Sequence, residues 1–365
     1  MKNLKVGSDF SGVGAFDQAL KRLKINYQTI FACDMDKYAR QTFIENYGEP
    51  KYYPENVYNR EIPKESIDIY MTSPPCQAFS IAGQRKGEKE NRGVLFYNSH
   101  EFILKNKPRY FIFENVKGLL SDDNGRTFQR WIDYLSKSVN GQPVIFPHEE
   151  SANYHVYYQV LNSKDYGVPQ NRERIFIVGI RDDADNNFLF PPKEHLTKRL
   201  KDVLEDDVDE KYFLSEKMIN YIGKDRQGNE NLVVNREVAN TITCEVKKMQ
   251  RSMQDNYIDI VQLNNPKHSN NRIYSVNGCS PTLNTMQGGL RQPFVKLNND
   301  SVIVHDIPEM VSVKIRRLTP RECFRLQDFP DSFKMPCSDT QMYKQAGNSI
   351  TVGVLEKIIK RLIKI

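Results

Sequence analysis

The first half of the chain predicts an α/β fold with a doubly wound, mostly parallel sheet, and three observations carry that expectation. Short β-rich runs alternate with segments of helical period from residue 1 to about 180, and such alternation builds a parallel sheet covered by helices on both faces. A glycine-bearing turn, DFSGVGAFD at Asp9 to Asp17, sits where the first strand hands over to the first helix. Most of the polar residues suited to chemistry follow directly after a strand, at the carboxyl edge where such sheets bind ligands.

The predicted strands are Leu4–Asp9, Thr29–Cys33, Ile67–Thr72, Tyr110–Phe113 and Arg174–Ile180. The predicted helices are Ala15–Leu23, Lys37–Tyr47, Leu95–Leu104 and Thr127–Ser136. After about residue 182 the texture changes: RDDADNN reads as a linker, LEDDVDE is an acidic run, and residues 230 to 312 are rich in Asn, Thr, Gln and Gly. Only short β-like pieces remain there, such as Ile258–Leu263 and Phe294–Leu297. The expected division is therefore a first domain of residues 1–182 plus 341–365 and a second, smaller, irregular β-rich domain at 183–340. The closing segment QAGNSITVGVLEKIIKRLIKI returns to a helical period through Ile350, Val354, Ile358 and Leu362, so its helix is expected to pack back on the first domain.

A chain of 365 residues with 52 basic and 46 acidic side chains carries a net charge of +6, a mild excess compatible with a polyanionic partner. No apolar run approaches the roughly 20 residues that span a bilayer, and MKNLKVGSDF lacks the core of a secretory signal, which predicts a soluble, cytoplasmic protein without membrane contact. The six cysteines, Cys33, Cys76, Cys244, Cys279, Cys323 and Cys337, include no CxxC pair and no zinc-finger spacing. They are expected to be free thiols in a reducing compartment, with no metal.

In the first turn, Gly12 and Gly14 allow close approach of the backbone to a ligand, but the third glycine of a dinucleotide fingerprint and the lysine of a phosphate loop are missing. An adenosine-type ligand without a pyrophosphate suits such a turn, as does a merely structural loop. Asp34 ends the next strand where open α/β folds bond ribose hydroxyls, while Asp34 or Asp36 also suits the cap of the helix that follows.

TSPPCQAFS, Thr72 to Ser80, runs an apolar strand into two prolines and a cysteine. Pro74 and Pro75 stiffen the turn and set the direction in which Cys76 leaves the sheet. A lone cysteine is commonly a small buried hydrophobe, but one in a polar loop at a sheet's carboxyl edge reads as a nucleophile. The loop goes on with Gly83, Gly87 and Gly93 among Arg85, Lys86, Lys89 and Arg92, suited to a lid over a phosphate backbone or to a solvated loop.

Glu114 of ENV follows the strand Tyr110–Phe113, where partial desolvation would raise its pKa and let it donate a proton. Arg172 and Arg174 of PQNRERIF share one face of an extended segment and can clamp a carbonyl oxygen. In QAGNSI, Gly347 precedes a helix that Asn348 or Ser349 is expected to cap.

Taken in order, FSGVGAF, SPPCQAFS, ENV, QNRER, RRLTPRECFRLQDFP and QAGNSI resemble the DNA (cytosine-5) methyltransferase family, above all its bacterial and phage modification enzymes. The likeness covers residues 1–180 and 315–365; the stretch between resembles only the family's variable target-recognition region. It implies an S-adenosylmethionine-dependent methyltransferase fold, S-adenosyl-L-methionine as methyl donor, double-stranded DNA as substrate, and a monomer serving a restriction-modification pair with a cognate endonuclease or phage self-protection. Within the family, the RNA-directed branch is the enzymatic alternative, and a catalytically inactive DNA-binding relative is the alternative from another class.

The resemblance implies Cys76 as the nucleophile at C6 of a flipped cytosine, Glu114 as the acid at N3, Arg174 as the holder of O2, and Arg172 as an ordering group. For the donor it implies Phe10, Ser11, Gly12, Gly14, Asp34, Met35, Asn56, Pro75, Asn348, Ser349 and Ile350. The chain departs from the family pattern at three positions: Ala15 follows Gly14 where a second glycine is usual, Asp34 replaces a common Glu, and Asn56 replaces a common Asp. Gln77, Ser80, Arg85 and Arg92 are placed near DNA. In the variable region Thr282, Leu283, Gln287 and Arg291 are the expected readers, Thr-Leu resembling a recurrent element there. RRLTPRECFRLQDFP is expected to organise the recognition domain, with Arg317 and Arg321 as alternative phosphate contacts.

Overall fold

The computed structural model describes residues 3–74, 94–185, 187–215, 273–275, 279–280, 283, 294–296 and 315–364. In chain order the first part runs β1 (Leu4–Asp9), α1 (Ala15–Arg22), β2 (Tyr27–Cys33), α2 (Lys37–Tyr47), β3 (Ile69–Thr72), α3 (Val94–Asn106), β4 (Tyr110–Val116), α4 (Arg126–Leu135), β5 (Ser136–Val139), β6 (Gln142–Pro143), β7 (Tyr154–Asn162) and β8 (Glu173–Ile180). Later come β9 (Ile273–Ser275), β10 (Phe294–Lys296), β11 (Ile315–Arg317), α5 (Pro320–Arg325), α6 (Asp339–Asn348) and α7 (Val352–Leu362).

The eight strands β1 to β8 form one sheet in the order β2-β1-β3-β4-β8-β7-β5-β6. The four strands from β2 to β4 are parallel, as expected of a doubly wound sheet. Beyond them β8 runs antiparallel to both β4 and β7. That pairing prolongs β4 past Phe113, so Glu114, Asn115 and Val116 are its last three residues and not a loop after it.

Helices cover both faces. On one, α3 and α4 bury Phe96, Phe102, Ile103, Phe128, Trp131 and Ile132 against Phe31, Phe111, Phe113, Ile175 and Ile177. On the other, α1, α6 and α7 bury Ala19, Leu20, Met342, Ala346, Ile358 and Ile359 against Val6, Ile112, Phe176 and Val178. The closing helix α7 does pack back on α1, its apolar stripe set by Val354, Leu355, Ile358 and Leu362. The same core takes in Phe188, Leu196, Leu200 and Val203 before the variable region and Leu318, Phe324, Phe329 and Phe333 after it.

Local chemistry accounts for the helix starts. The Asp36 carboxylate accepts from the backbone N–H groups of Tyr38 and Ala39 and so caps α2. Thr319 and Glu322 form a capping box on α5, with Pro320 at its first position. Glu322 also holds the fully buried Arg316 through two contacts of 2.7 Å, and Glu205 bonds Thr319 from the strap before the variable region. RRLTPRECFRLQDFP is thereby a structural clasp: Arg317 donates to Lys211 O and Arg321 to Phe333 O.

The segment QAGNSI ends a helix and does not begin one. Gly347 and Asn348 are the last turn of α6, and the next helix starts with Thr351 at its N-cap. Arg172 takes the carbonyls of Gly347 and Ser349, which explains why the chain breaks there. Of the short strands expected beyond residue 182, β10 lies within Phe294–Leu297 and joins β9 and β11 in a three-stranded sheet, while Ile258–Leu263 lies outside the described residues. Among the described residues no helix is long and apolar enough to cross a membrane.

Candidate active site

One row of paired residues crosses the sheet near its carboxyl edge: Cys33 faces Asp9, Asp9 faces Thr72, Thr72 faces Phe113, and Phe113 faces Ile177 on the antiparallel strand. The residues just past this row are Asp34, Phe10, Ser73 and Glu114, so register alone gathers the donor-binding and catalytic candidates at one edge.

The glycine turn is held from β2. Ser11 N donates to Cys33 O at 3.0 Å, Gly12 N to Asp34 Oδ2 at 2.8 Å, and Asp36 N to Asp34 Oδ1 at 2.8 Å. Burial pushes the Asp34 carboxyl up, and the two N–H groups oppose that shift. Each Asp34 oxygen keeps acceptor capacity for a hydroxyl beyond the turn.

Two glycines are required for different reasons. Gly12 has φ +54° and nothing within 4 Å of where a Cβ would stand, leaving that side of the turn open. Gly14, at φ +81°, would place a Cβ 2.3 Å from the Tyr47 ring. Phe10 also has a positive φ of 56° and packs partly buried against the α3 and α4 core. Ser11 Oγ meets Tyr53 Oη at 3.3 Å, and the Tyr53 ring carries the Arg40 guanidinium 3.9 Å from its centroid.

Met35 is 86% exposed, an apolar side chain presented beside Asp34. Asn56 is exposed too, its side-chain oxygen taken by Tyr58 N. An open glycine turn, a strand-end carboxylate, an exposed thioether and an aromatic residue fit an adenosine-type methyl donor without a phosphate. Asn348 is exposed at the end of α6, whereas Ser349 and Ile350 are buried.

At β4, Glu114 faces Phe176 across the ladder and Val116 faces Arg174, so Glu114 and Arg174 are diagonal neighbours on one face. Arg174 Nε lies 3.1 Å from Glu114 Oε1, with side-chain exposures of 17% and 10%. Burial pushes the Glu114 carboxyl up, and Arg174 and Arg172 only partly oppose it. Arg172 is buried and donates to Leu283 O at 3.0 Å, Gly347 O at 3.0 Å and Ser349 O at 2.8 Å. Burial, with the charge of Arg174, brings it down to about 9, so it stays charged at neutral pH.

The exit of β3 is fixed from both sides. Asn115 Nδ2 donates to Pro74 O at 3.2 Å, and Ser73 Oγ reaches Phe10 O at 3.5 Å. The chain that continues to Cys76 therefore departs from between the glycine turn and the end of β4. Cys76 itself, with Pro75, Gln77, Ser80, Arg85 and Arg92, lies outside the described residues, as do Thr282, Gln287 and Arg291. The side chain of Leu283, expected against DNA, is instead buried in the core at 2% exposure, with its N–H bonded to Gln170 and its carbonyl to Arg172.

Sequence reasoning missed several supports. Gln170, fully buried, bridges Leu283 N and Leu326 O. Arg60 and Tyr70 both bond Asp9, the residue before Phe10. Gln170 stands inside the QNR block and offered a signal; Arg60, in a polar run, offered none.

Comparison with known proteins completes the assignment. The family described as C-5 cytosine-specific DNA methylase matches residues 4–364. An orphan methyltransferase of Bacillus phage SPR, M.SPRI, is 32% identical over 446 aligned residues, covering 100% of this chain and 98% of the relative. The type II methyltransferase M.HhaI of Haemophilus parahaemolyticus is 32% identical, covering 96% of this chain and 91% of its own. Among solved structures, a putative DNA modification methyltransferase from an Escherichia coli prophage aligns with a TM-score of 0.64 at 22% identity over 99% of both chains, a likeness of fold. A sheet edge that gathers a donor-type glycine turn beside a part-buried Glu–Arg pair, on a chain matched from end to end, identifies it as a member of the C-5 cytosine-specific DNA methylase family, a DNA cytosine-5 methyltransferase.

Proposed function

We propose that the enzyme transfers a methyl group from S-adenosyl-L-methionine to C5 of a cytosine flipped out of a short duplex DNA sequence, with Cys76 as the nucleophile. The observation that carries this reading is the Glu114–Arg174 pair, a desolvated carboxyl beside a guanidinium at the strand end next to the chain leading to Cys76.

C5 of cytosine is too electron-poor to be methylated directly. Addition of the Cys76 thiolate at C6 makes C5 enamine-like, and proton donation from Glu114 to N3 lowers the cost of that addition. Arg174 offers its remaining N–H groups to O2, where negative charge develops, while Arg172 is spent on backbone carbonyls and fixes the floor beneath the pair. The donor, when bound, supplies an electrophilic methyl on sulfonium; Phe10, Ser11, Gly12, Gly14, Asp34, Met35 and Asn56 are the residues that would hold it, with Pro75 and the 348–350 segment. Water then takes the C5 proton, Cys76 departs as thiolate and the N3 proton returns to Glu114, restoring the enzyme.

Sequence readout is assigned to the part of the 183–340 region between the core segments 188–203 and 318–333, acting from a monomer on duplex DNA, in partnership with a restriction endonuclease or in phage self-protection. Bisulfite sequencing of DNA from a methylation-free host expressing the protein tests the proposal, beside the same host expressing Cys76→Ala. Protected cytosines in one short context, absent with the variant, are the expected result. Protection by the variant would remove Cys76 from the chemistry, and protection confined to RNA would move the substrate to the RNA-directed branch.

A further inference from the structure

Arg60 stands in the polar run PENVYNREIP, where a charged side chain is expected at the surface. Its side chain is instead 1% exposed. Nε donates to Asp9 Oδ1 at 2.9 Å and Nη2 to Asp9 Oδ2 at 2.6 Å; Nη2 also reaches Asn98 O at 2.9 Å, and Nη1 reaches Val57 O at 3.2 Å. The Tyr70 hydroxyl donates to the same Asp9 carboxylate, and Asn98 Nδ2 returns to Val57 O at 3.2 Å. The guanidinium rests 5.9 and 5.4 Å from the ring centroids of Phe31 and Phe102.

Every segment anchored here borders a part of the proposed site. Asp9 precedes Phe10 and the Gly12 turn, Val57 follows Asn56, and Asn98 belongs to α3, the helix entered from the segment that carries Cys76. Four of the five N–H donors of Arg60 are bound to interior partners, so it is not placed to bind a ligand itself. A lysine could keep the charge opposite Asp9 but has no planar fork to span the three segments.

We infer that Arg60 is a positioning residue for the methyl donor, locking the Phe10–Gly12 turn, the 56–57 wall and helix α3 into one preformed pocket. The inference rests on the donor reading proposed above. Preformation lowers the ordering cost of binding, so its loss weakens affinity for the donor more than it slows the chemistry once the donor is bound.

The test is calorimetric titration of S-adenosylhomocysteine into wild type, Arg60→Lys and Arg60→Met without DNA, with thermal melts of the ligand-free proteins and steady-state kinetics alongside. Affinity is expected to fall by about tenfold or more in Arg60→Met and by less in Arg60→Lys. KM for the donor should rise in step while kcat at saturating donor stays within about threefold. Folded variants with wild-type affinity would overturn the inference, as would a loss that follows only the folded fraction. A fall in kcat with affinity intact would overturn it as well. Should Arg60→Met not fold, Arg60→Lys and Tyr70→Phe, which removes one donor to Asp9, carry the same comparison. Wild type that binds no S-adenosylhomocysteine would sink the donor reading itself, an outcome separate from wild type and variants binding alike.

Discussion

Asp9–Arg60, at the end of β1, and Glu114–Arg174, at the end of β4, are both carboxylate–guanidinium pairs at the carboxyl edge of one sheet, with β3 between their strands. The first is sealed: exposures of 0% and 1%, two parallel contacts and a third donor from Tyr70. The second is single-contact and open to the edge, at 10% and 17%. Burial raises both carboxyls, but Asp9 has its charge answered by three donors, whereas Glu114 is met by one side of a guanidinium. A saturated pair fixes shape. An under-satisfied one beside an opening keeps a carboxyl whose proton can be passed on.

Breaking the open pair should give the larger loss of rate. Glu114→Gln is expected to lower kcat by about 10²- to 10⁴-fold with little change in melting temperature; an unchanged rate would remove the proposed role at N3. In the proposed mechanism the working form of Glu114 is the protonated one, so the rate should decline as pH rises through its elevated pKa, and the Gln variant should lose that limb. Stability follows the same sign. A carboxyl raised in the folded state binds its proton more tightly there, so wild type should lose stability relative to Glu114→Gln as pH climbs from the ordinary carboxyl range through the raised value. Thermal melts of both proteins across that range would check it.

Breaking the sealed pair should instead be read mainly as a loss of stability. Asp9→Asn leaves the Arg60 charge buried without its partner and is expected to cost about 3–5 kcal/mol in denaturant titrations. A loss below about 1 kcal/mol would erase the contrast with Glu114, since surface pairs reach that value. A third pair at the same edge, Lys117–Glu173 at 3.0 Å, sets the floor: its side chains are 55% and 46% exposed. Lys117→Ala should shift stability by no more than about 0.5 kcal/mol and leave turnover as it was; a larger effect would show that exposure is not what separates the three pairs.

Reading the parallel half of the sheet from sequence succeeded because each strand there is short, apolar and followed by a helical period. β7 escaped the same reading. Its residues are apolar on both faces, Tyr157 and Leu161 toward one core and Tyr154 and Val156 toward the other, so YHVYYQVLN shows no period-two contrast between polar and apolar. The capping role given to QAGNSI failed for another reason: Asn and Ser near a glycine suit either end of a helix, and only the demand of Arg172 for the carbonyls of Gly347 and Ser349 decides which. Residues 188–203, which lie between the RDDADNN linker and the LEDDVDE acidic run, contribute Phe188, Leu200 and Val203 to the first core, a placement that no local pattern announces.

The sequence by itself determined the alternation of strands and helices, the glycine turn, and the short blocks around Cys76, Glu114 and Arg174 that carry the family resemblance, because each of these depends on neighbours a few positions apart. Tertiary structure alone decided that β8 runs antiparallel to β4 and brings Arg174 onto Glu114, 60 residues earlier in the chain. It also decided that Arg60, in a run that reads as surface, is the buried clamp of Asp9. Burial and pairing across the sheet belong to packing between distant segments, and the charge state of a carboxyl follows from that packing.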